Sequence, residues 1–497
     1  MGVKSILAKP YAKLVSKSNK KWIKKPIDAQ NRIFKSLIKS AQNTAFGKDH
    51  RFEEIKSYED FKESVPIVDY EKIKSYIERI QKGEENVLWP ENPLYFCKTS
   101  GTTSGIKYIP ISRESMPFHI KCAKDAILSY IAETGNTNAL KGGNIFIQGS
   151  PELDETNLIP VGRLSGIVAH YVPWYLQSSN FPSFETNCIE DWEEKLDAII
   201  EETLCQNMTL ISGIPPWVQM YFERIVAKTG KQILEVFPKF SLLIFGGVSF
   251  EPYRKSFRQL IGKNIPSIEI YPSSEGFIAY QDTQTEEGML LCTNHGIFYE
   301  FIPLEEYFDK KPKRLSLKDV KTGVDYALIL NTNAGLWGYS IGDTIRFVST
   351  NPYRLVVSGR IRHFTSAFGE HVIGKEVENA LQITLEKHPA EINEFHVAPQ
   401  VSPEKGLPFH EWFIEFKKEP KSLGDFVAFL DENMQSQNTY YKDLIDGKVL
   451  RPLIFSKIKK GGFIKYMKSV GKLGGQNKVP RLANNRDIAD KLREFYE

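Results

Sequence analysis

Residues 97–110 read CKTSGTTSGIKYIP. Thr99, Ser100, Gly101, Thr102, Thr103, Ser104 and Gly105 form an unbroken run of small or hydroxyl-bearing residues, closed by Lys107. Two readings compete, and they lead to different folds. In the first, Ser104-Gly-Ile-Lys107 is the SxxK of a serine acyl-enzyme, supported by Ser178-Ser179-Asn180 and by Lys-Thr-Gly at 228–230 and 321–323. That motif must open a helix, yet IKYIPI is β-branched and interrupted by proline, so a strand follows instead. VAKTG reads as a helix closing on a glycine cap. In the second reading the run is a turn whose exposed N–H groups and hydroxyls form an anion cradle, with Lys107 as the nearby cation. It is not a Walker loop, because Ile106 stands where GxxxxGK[ST] requires glycine. Taken alone such a run is more often an ordinary turn; the strand-flanked cradle is the reading its companions below favour.

At 497 residues the chain calls for two or three domains. Apolar residues make up 41% and charged residues 25%, an ordinary globular composition. A net charge of +4 demands neither a nucleic-acid nor a membrane partner, and none is expected. Five Cys (97, 122, 188, 205, 292) are scattered without a CxxC, and the nine His show no paired metal spacing, which argues against a zinc site. Eight Lys lie before Asp28, on what reads as a basic amphipathic first helix. No apolar run has the length of a signal peptide or of a membrane span, so a cytoplasmic protein is expected. MGVKSI misses the myristoylation pattern at Ile6.

Residues 28–90 carry charge-rich helical stretches. From about 94 to 350, short apolar runs (GNIFIQGS, MTLISGI, FSLLIFGG, SIEIYPSS, DYALILNT, TIRFVS) alternate with helical or loop segments, the mark of an α/β layer. Beyond SGRIRH come an amphipathic helix, the strand FHEWFIEFK and another helix. The expected organisation is a large domain over 1–357 and a small α+β domain over 358–497, joined by a hinge near 358–370. Residues 447–486 hold eleven Lys or Arg and no acid, and GKLGGQNKVPRL within them reads as a shaped loop rather than a charge brush.

Two further stretches give the cradle company. EIYPSSEG (269–276) places Glu275 at the end of a strand, where a carboxylate suits Mg²⁺. GYSIGDTIRF (338–347) places Asp343 in a glycine turn before another strand, where a short carboxylate can accept two hydrogen bonds from a ribose diol. Taken singly, Glu275 reads as a helix cap and Asp343 as an Asx turn. In this order within one α/β domain they read as a nucleotide site.

The set resembles the GH3 (auxin-responsive) family of acyl-acid amido synthetases, of the adenylate-forming superfamily. TSGTTSGIK looks like its phosphate loop, YPSSEG its Tyr-x-x-Ser-Glu motif, YSIGD its Tyr-x-x-Gly-Asp motif, and GQNKVPR its C-terminal Gln-x-Lys-x-Pro-Arg stretch. The resemblance runs from about 30 to 482 and departs at Pro272, where plant members usually carry a small residue; SGRIRHFTSAFGEHV follows the bacterial form of the hinge. It implies a large N-terminal α/β domain of the adenylate-forming type and a small mobile C-terminal α+β domain. It also implies ATP and Mg²⁺ as cofactors, with a carboxylic acid and an amino acid as substrates. By resemblance, Thr99, Ser100, Gly101, Thr102 and Thr103 hold the phosphates beside Lys107, and Glu275, next to Ser274, holds Mg²⁺. Gly246, Gly247 and Val248 bracket the adenine with Tyr271; Asp343 takes the ribose, and Arg360 sits at the ribose or hinge. Lys478 is the catalytic lysine and must be brought in by movement of the small domain. Tyr171, Trp174 and Trp217 are candidates for an apolar acyl pocket, against the plainer reading that aromatics at helical spacing are core. A thiol acceptor such as coenzyme A, and a non-catalytic binding protein, are the alternatives.

Overall fold

A computed structural model describes residues 3–100, 106–172, 177, 179–248, 250, 253–361, 364–365, 367–368, 370, 372–470 and 479–497. The first strands are β1 (Tyr95–Ser100), β2 (Ile106–Ile111), β3 (Gly143–Ile147), β4 (Val161–Gly162), β5 (Asn180–Phe181), β6 (Met208–Gly213) and β7 (Leu242–Gly246). There follow β8 (Ser267–Ser273), β9 (Gly276–Tyr280), β10 (Met289–Leu291), β11 (Ile297–Pro303), β12 (Leu315–Ser316), β13 (Asp325–Thr332), β14 (Tyr339–Thr350) and β15 (Tyr353–Arg360). The small domain adds β16 (Phe364–Thr365), β17 (Val372–Ile373), β18 (Glu391–Gln400), β19 (Phe409–Lys418) and β20 (Ile454–Lys457).

A twelve-stranded sheet carries the large domain in the order β12-β11-β13-β14-β15-β10-β9-β8-β7-β6-β3-β5. Its β5-β3-β6-β7-β8 part is parallel, with helices such as Trp192–Thr203 and Pro215–Thr229 between strands. β7 shows why: LLIFG is a continuous apolar run, buried over its first four residues, as a central parallel strand must be. The helix Pro215–Thr229 opens on two prolines and stops at Gly230, whose φ of +69° only glycine adopts readily.

From β8 onward the alternation expected through residue 350 gives way. β8 to β15 pair antiparallel, with no α-helix among them. Their apolar runs look like those of the parallel half because both faces are buried here too. Register breaks in the β8–β9, β13–β14 and β14–β15 pairs bend this half. The bend brings β9 over β11: a Cβ on Gly276 would lie 2.5 Å from Ile297 Cδ1, and the Tyr299 hydroxyl reaches the Ile278 carbonyl at 3.5 Å.

The basic first helix forms over Val3–Ile23 and packs Ala8 and Ala12 against the helix Met116–Thr134. IKYIPI is β2, as its β-branched pattern demands, so Lys107 stands in a strand and not in the first turn of a helix. In the small domain β18, β19 and β20 form one sheet, covered by the helices Gly374–Lys387 and Leu423–Gln437. One apolar core runs through both domains, joining Ile145, Ile211 and Phe245 to Val377, Trp412 and Leu482. Part of the basic run at 447–486 is paired with acids: Lys448 meets Asp191, Lys457 meets Glu419 and Glu497, Arg481 meets Glu394, and Arg486 meets Glu411.

Candidate nucleotide and acyl-transfer site

β1 and β2 pair antiparallel from Tyr95↔Ile111 to Ser100↔Ile106, so the two strands bring the ends of the hydroxyl-glycine run side by side. Thr99 stands opposite Lys107 in that ladder. Gly101, Thr102 and Thr103 lie outside the described residues, as do Trp174 and Lys478. Ser100 and Arg360 are placed by their backbone alone, at the ends of β1 and β15.

A cysteine that the sequence did not single out ties the cradle to the second motif. The Cys97 thiol, on β1, donates to the Ser274 hydroxyl at 3.1 Å. Burial pushes this thiol up to about 12, so it stays protonated and keeps donating at neutral pH. The link delivers the β8–β9 turn, with Glu275, to the base of the cradle. Glu275 is half-buried, and burial raises its carboxyl above the usual carboxylate range. The Lys107 ammonium opposes that shift, whereas the Asp343 carboxylate adds to it. Two carboxylates and one ammonium thus act on one another in this confined site. Such a site fits a hard divalent cation, with Glu275 as its carboxylate ligand.

Asp343 lies within β14 rather than in a turn before a strand; Gly342, at φ +85°, is a kink inside that strand. The Tyr271 hydroxyl donates to Asp343 Oδ2, and Asp343 stands opposite Arg360 in the β14–β15 ladder. Gly246 ends β7 beside Ile270: a Cβ there would meet the Ile270 carbonyl oxygen at 2.3 Å, so close strand packing fixes this glycine. Gly247 follows with φ +86°, and Val248 is half-buried against the shared core.

The aromatic candidates separate. Tyr171 is half-buried, and its hydroxyl donates to that of Tyr95 on β1 at 3.2 Å. Trp217 lies in the shared core with its ring centroid 5.1 Å from that of Trp192.

The small domain reaches the same strand. Tyr440 donates its hydroxyl to the Lys98 carbonyl at 3.1 Å, its ring lies under the Arg163 guanidinium at 5.2 Å, and Arg163 pairs with Asp443 at 3.1 Å. No sequence motif marks Tyr440. The residues just after Lys478 are fixed to the small-domain sheet. Val397 N–H donates to Arg481 O at 3.0 Å, Ala483 N–H to Val397 O at 2.9 Å, and the His396 ring nitrogen Nδ1 lies 2.7 Å from Pro480 O.

Comparison with known proteins decides the family. Residues 16–266 match the GH3 family N-terminal domain, 290–360 its central domain and 375–487 its C-terminal domain. The chain belongs to the GH3 family. Among its GH3 relatives, the indole-3-acetic acid-amido synthetase GH3.15 of Arabidopsis thaliana is 24% identical over 88% of both chains. The jasmonoyl–L-amino acid synthetase JAR4 of Nicotiana attenuata is 25% identical over 58% of this chain and 60% of its own. The solved structure of the GH3.15 acyl acid amido synthetase superposes with a TM-score of 0.60 at 16% identity, covering 98% of this chain and 96% of that one. A 2-hydroxyisobutyryl-CoA ligase, solved with 2-HIB-AMP and CoA, superposes at 0.57 with 13% identity, covering 95% and 91%. The GH3 fold here is thus the adenylate-forming one, a large N-terminal α/β domain with a smaller C-terminal domain. No helix among the described residues is long and apolar enough to cross a membrane.

Proposed function

We propose that this chain activates a carboxylic acid with ATP as an acyl-adenylate and passes the acyl group to the amine of an amino acid. One observation carries the reading: the cradle strands, the Glu275 turn and Asp343 converge, through Cys97–Ser274, Tyr271–Asp343 and the mutual charges of Lys107, Glu275 and Asp343. Its GH3 relatives named above are amido synthetases.

In the first half-reaction a carboxylate oxygen attacks the α-phosphorus and pyrophosphate leaves. In the second, the amine attacks the acyl carbon, loses a proton, and AMP leaves. Thr99, Ser100, Gly101, Thr102 and Thr103 offer N–H and hydroxyl donors to the phosphates, with Lys107 alongside. Glu275 is the ligand for Mg²⁺, which supplies charge neutralisation and a template for the phosphates. Asp343, held by the Tyr271 hydroxyl, presents its carboxylate to the ribose diol. Gly246, Gly247 and Val248 with Tyr271 bracket the adenine, and Arg360 serves the ribose side. Lys478, carried by the small domain, neutralises charge during adenylation. Tyr171, Trp174 and Trp217 are the aromatic candidates for the acyl end. A reaction drawing on ATP and free amino acids suits the cytoplasm.

The test is pyrophosphate release over a panel of carboxylic acids, repeated with amino acids and with coenzyme A. Release with an acid, and amide formed only when an amino acid is added, is the expected result. Release stimulated by coenzyme A and indifferent to amino acids would make this a thioester ligase. ATP binding without release for any acid would make it a sensor.

A further inference from the structure

Cys122, Cys292 and His295 lie on the far side of β9 and β10 from the cradle, and nothing in the proposed reaction uses them. Cys122 belongs to the helix Met116–Thr134; Cys292 follows β10, and His295 lies three residues on. All three are buried, and one ligand atom from each lies within 4.8 Å of the others. Cysteines 170 positions apart leave no motif, which is why the sequence argued against zinc.

We propose that these three side chains form a zinc site that staples the helix Met116–Thr134 to the sheet. The two sulfurs are 3.8 Å apart. A tetrahedral cation bound at about 2.3 Å to two thiolates holds them ~3.8 Å apart, whereas a disulfide needs ~2.05 Å. His295 supplies the second, independent sign of a ligand. It is 2% exposed, and its Nδ1 has no hydrogen-bond partner among the described residues. A buried imidazole nitrogen left unpaired asks for an explanation, and a metal bond is one. Trp22 and Phe118 meet the ring edge-on at 5.3 and 5.6 Å and hold its orientation.

The electrostatics balance. Two thiolates and a neutral imidazole around Zn²⁺ sum to zero, so the filled site carries no net charge into the core. A water completes the tetrahedron, while Asp125, one turn beyond Cys122 and 1% exposed, stays paired with Lys121 outside the three-residue cluster. Among the described residues the cation beside the site is Lys121, whose ammonium is 3.3 Å from His295 Nε2 and also meets Asp125. With Nδ1 on the metal, Nε2 carries a proton, so the half-exposed Lys121 ammonium shifts off Nε2 while keeping its pair with Asp125. Its flexible stem makes that movement easy.

The experiment uses the full chain in a Cys205→Ser background, which removes the exposed thiol. Metal-free protein is titrated with Zn²⁺, and in parallel with Co²⁺ as a spectroscopic reporter. The expected results are one Zn²⁺ bound per chain, thiolate-to-cobalt charge-transfer absorption, and a Tm that rises with Zn²⁺. Cys122→Ser and Cys292→Ser each lose the absorption and the Tm response. Because either substitution can weaken the core, the titration of the unsubstituted site stands alone as a test. A folded protein with less than about one-tenth of an equivalent of zinc and no cobalt absorption overturns the proposal. So does absorption that survives in the double Cys122→Ser, Cys292→Ser variant, or a native mass two hydrogens lighter, the signature of a disulfide.

Discussion

Tyr271 and Asp343 sit on strands separated by three others in hydrogen-bonding order, yet the hydroxyl of one donates to the carboxylate of the other. In a flat sheet four steps of ~4.8 Å would set them about 19 Å apart. The antiparallel half must therefore curl, and the side-chain bond closes the curl over the proposed ribose position. A hydrogen bond to a charged group contributes about 1.5–3 kcal/mol. Tyr271→Phe is expected to raise the KM for ATP roughly 10-fold or more, with a smaller effect on kcat, in a pyrophosphate-exchange assay. An unchanged KM would remove Asp343 from nucleotide binding.

Glu275 links function and stability with opposite signs. Burial and the Asp343 charge raise its carboxyl pKa, so the fold favours the protonated form. The stability this group contributes is present at low pH and is lost as pH rises through its raised value. Glu275→Gln should therefore raise the Tm of metal-free protein at neutral pH, and the difference should close as pH falls below the ordinary carboxylate range. The same variant should need roughly tenfold more Mg²⁺, or worse, for half-maximal activity. Thermal melts over pH and a Mg²⁺ titration read the two effects. A Tm lower than that of the parent at pH 7 would contradict the assigned environment.

Lys478→Ala should reduce acid-dependent pyrophosphate exchange roughly 10²–10³-fold, the scale of a lost transition-state donor. Nucleotide affinity, measured by calorimetry, should stay within a few-fold of the parent. Equal loss of binding and exchange would make Lys478 a ground-state contact instead.

Tyr440 is the small domain's hold on β1. Removing its hydroxyl in Tyr440→Phe deletes one neutral hydrogen bond to the Lys98 carbonyl, about 1 kcal/mol, or roughly a fivefold shift toward the undocked domain. Proteolysis near residues 358–370 should quicken by that factor, while core stability changes little. Adding salt should act in the same direction by weakening the Arg163–Asp443 pair.

Glu300, on β11, is fully buried and accepts from Arg314 at 2.8 and 2.9 Å, from Tyr58 at 2.9 Å and from Asn331 at 2.9 Å. Arg314→Met leaves that carboxylate uncompensated and should destabilise the large domain by about 3–5 kcal/mol. The double variant with Glu300→Leu should recover much of the loss, as read by thermal melting.

What the sequence disclosed was local. IKYIPI announces β2 through β-branching and proline, and the apolar runs of β3, β6 and β7 announce buried parallel strands. Glu275 and Asp343 stood out because short acids among glycines and hydroxyls are conspicuous. Asp343 was misplaced nonetheless, since a left-handed Gly342 inside a strand reads in sequence like a turn. The curl of the antiparallel half depends on register breaks, which residue type does not encode. Cys97–Ser274 and Tyr440–Lys98 join residues 177 and 342 positions apart, and neither Cys97 nor Tyr440 differs from an ordinary core or surface residue until the chain is folded.

Gly246, Tyr271 and Asp343 all ride on one continuous hydrogen-bonded sheet, whereas Tyr171 follows a short helix and Trp217 belongs to a separate one. Strands locked into a shared ladder cannot drift singly, but a helix or connector can be reshaped without disturbing them. On the proposed assignment, such a scaffold keeps its grip on one common reactant over evolutionary time while leaving the choice of the other open to selection.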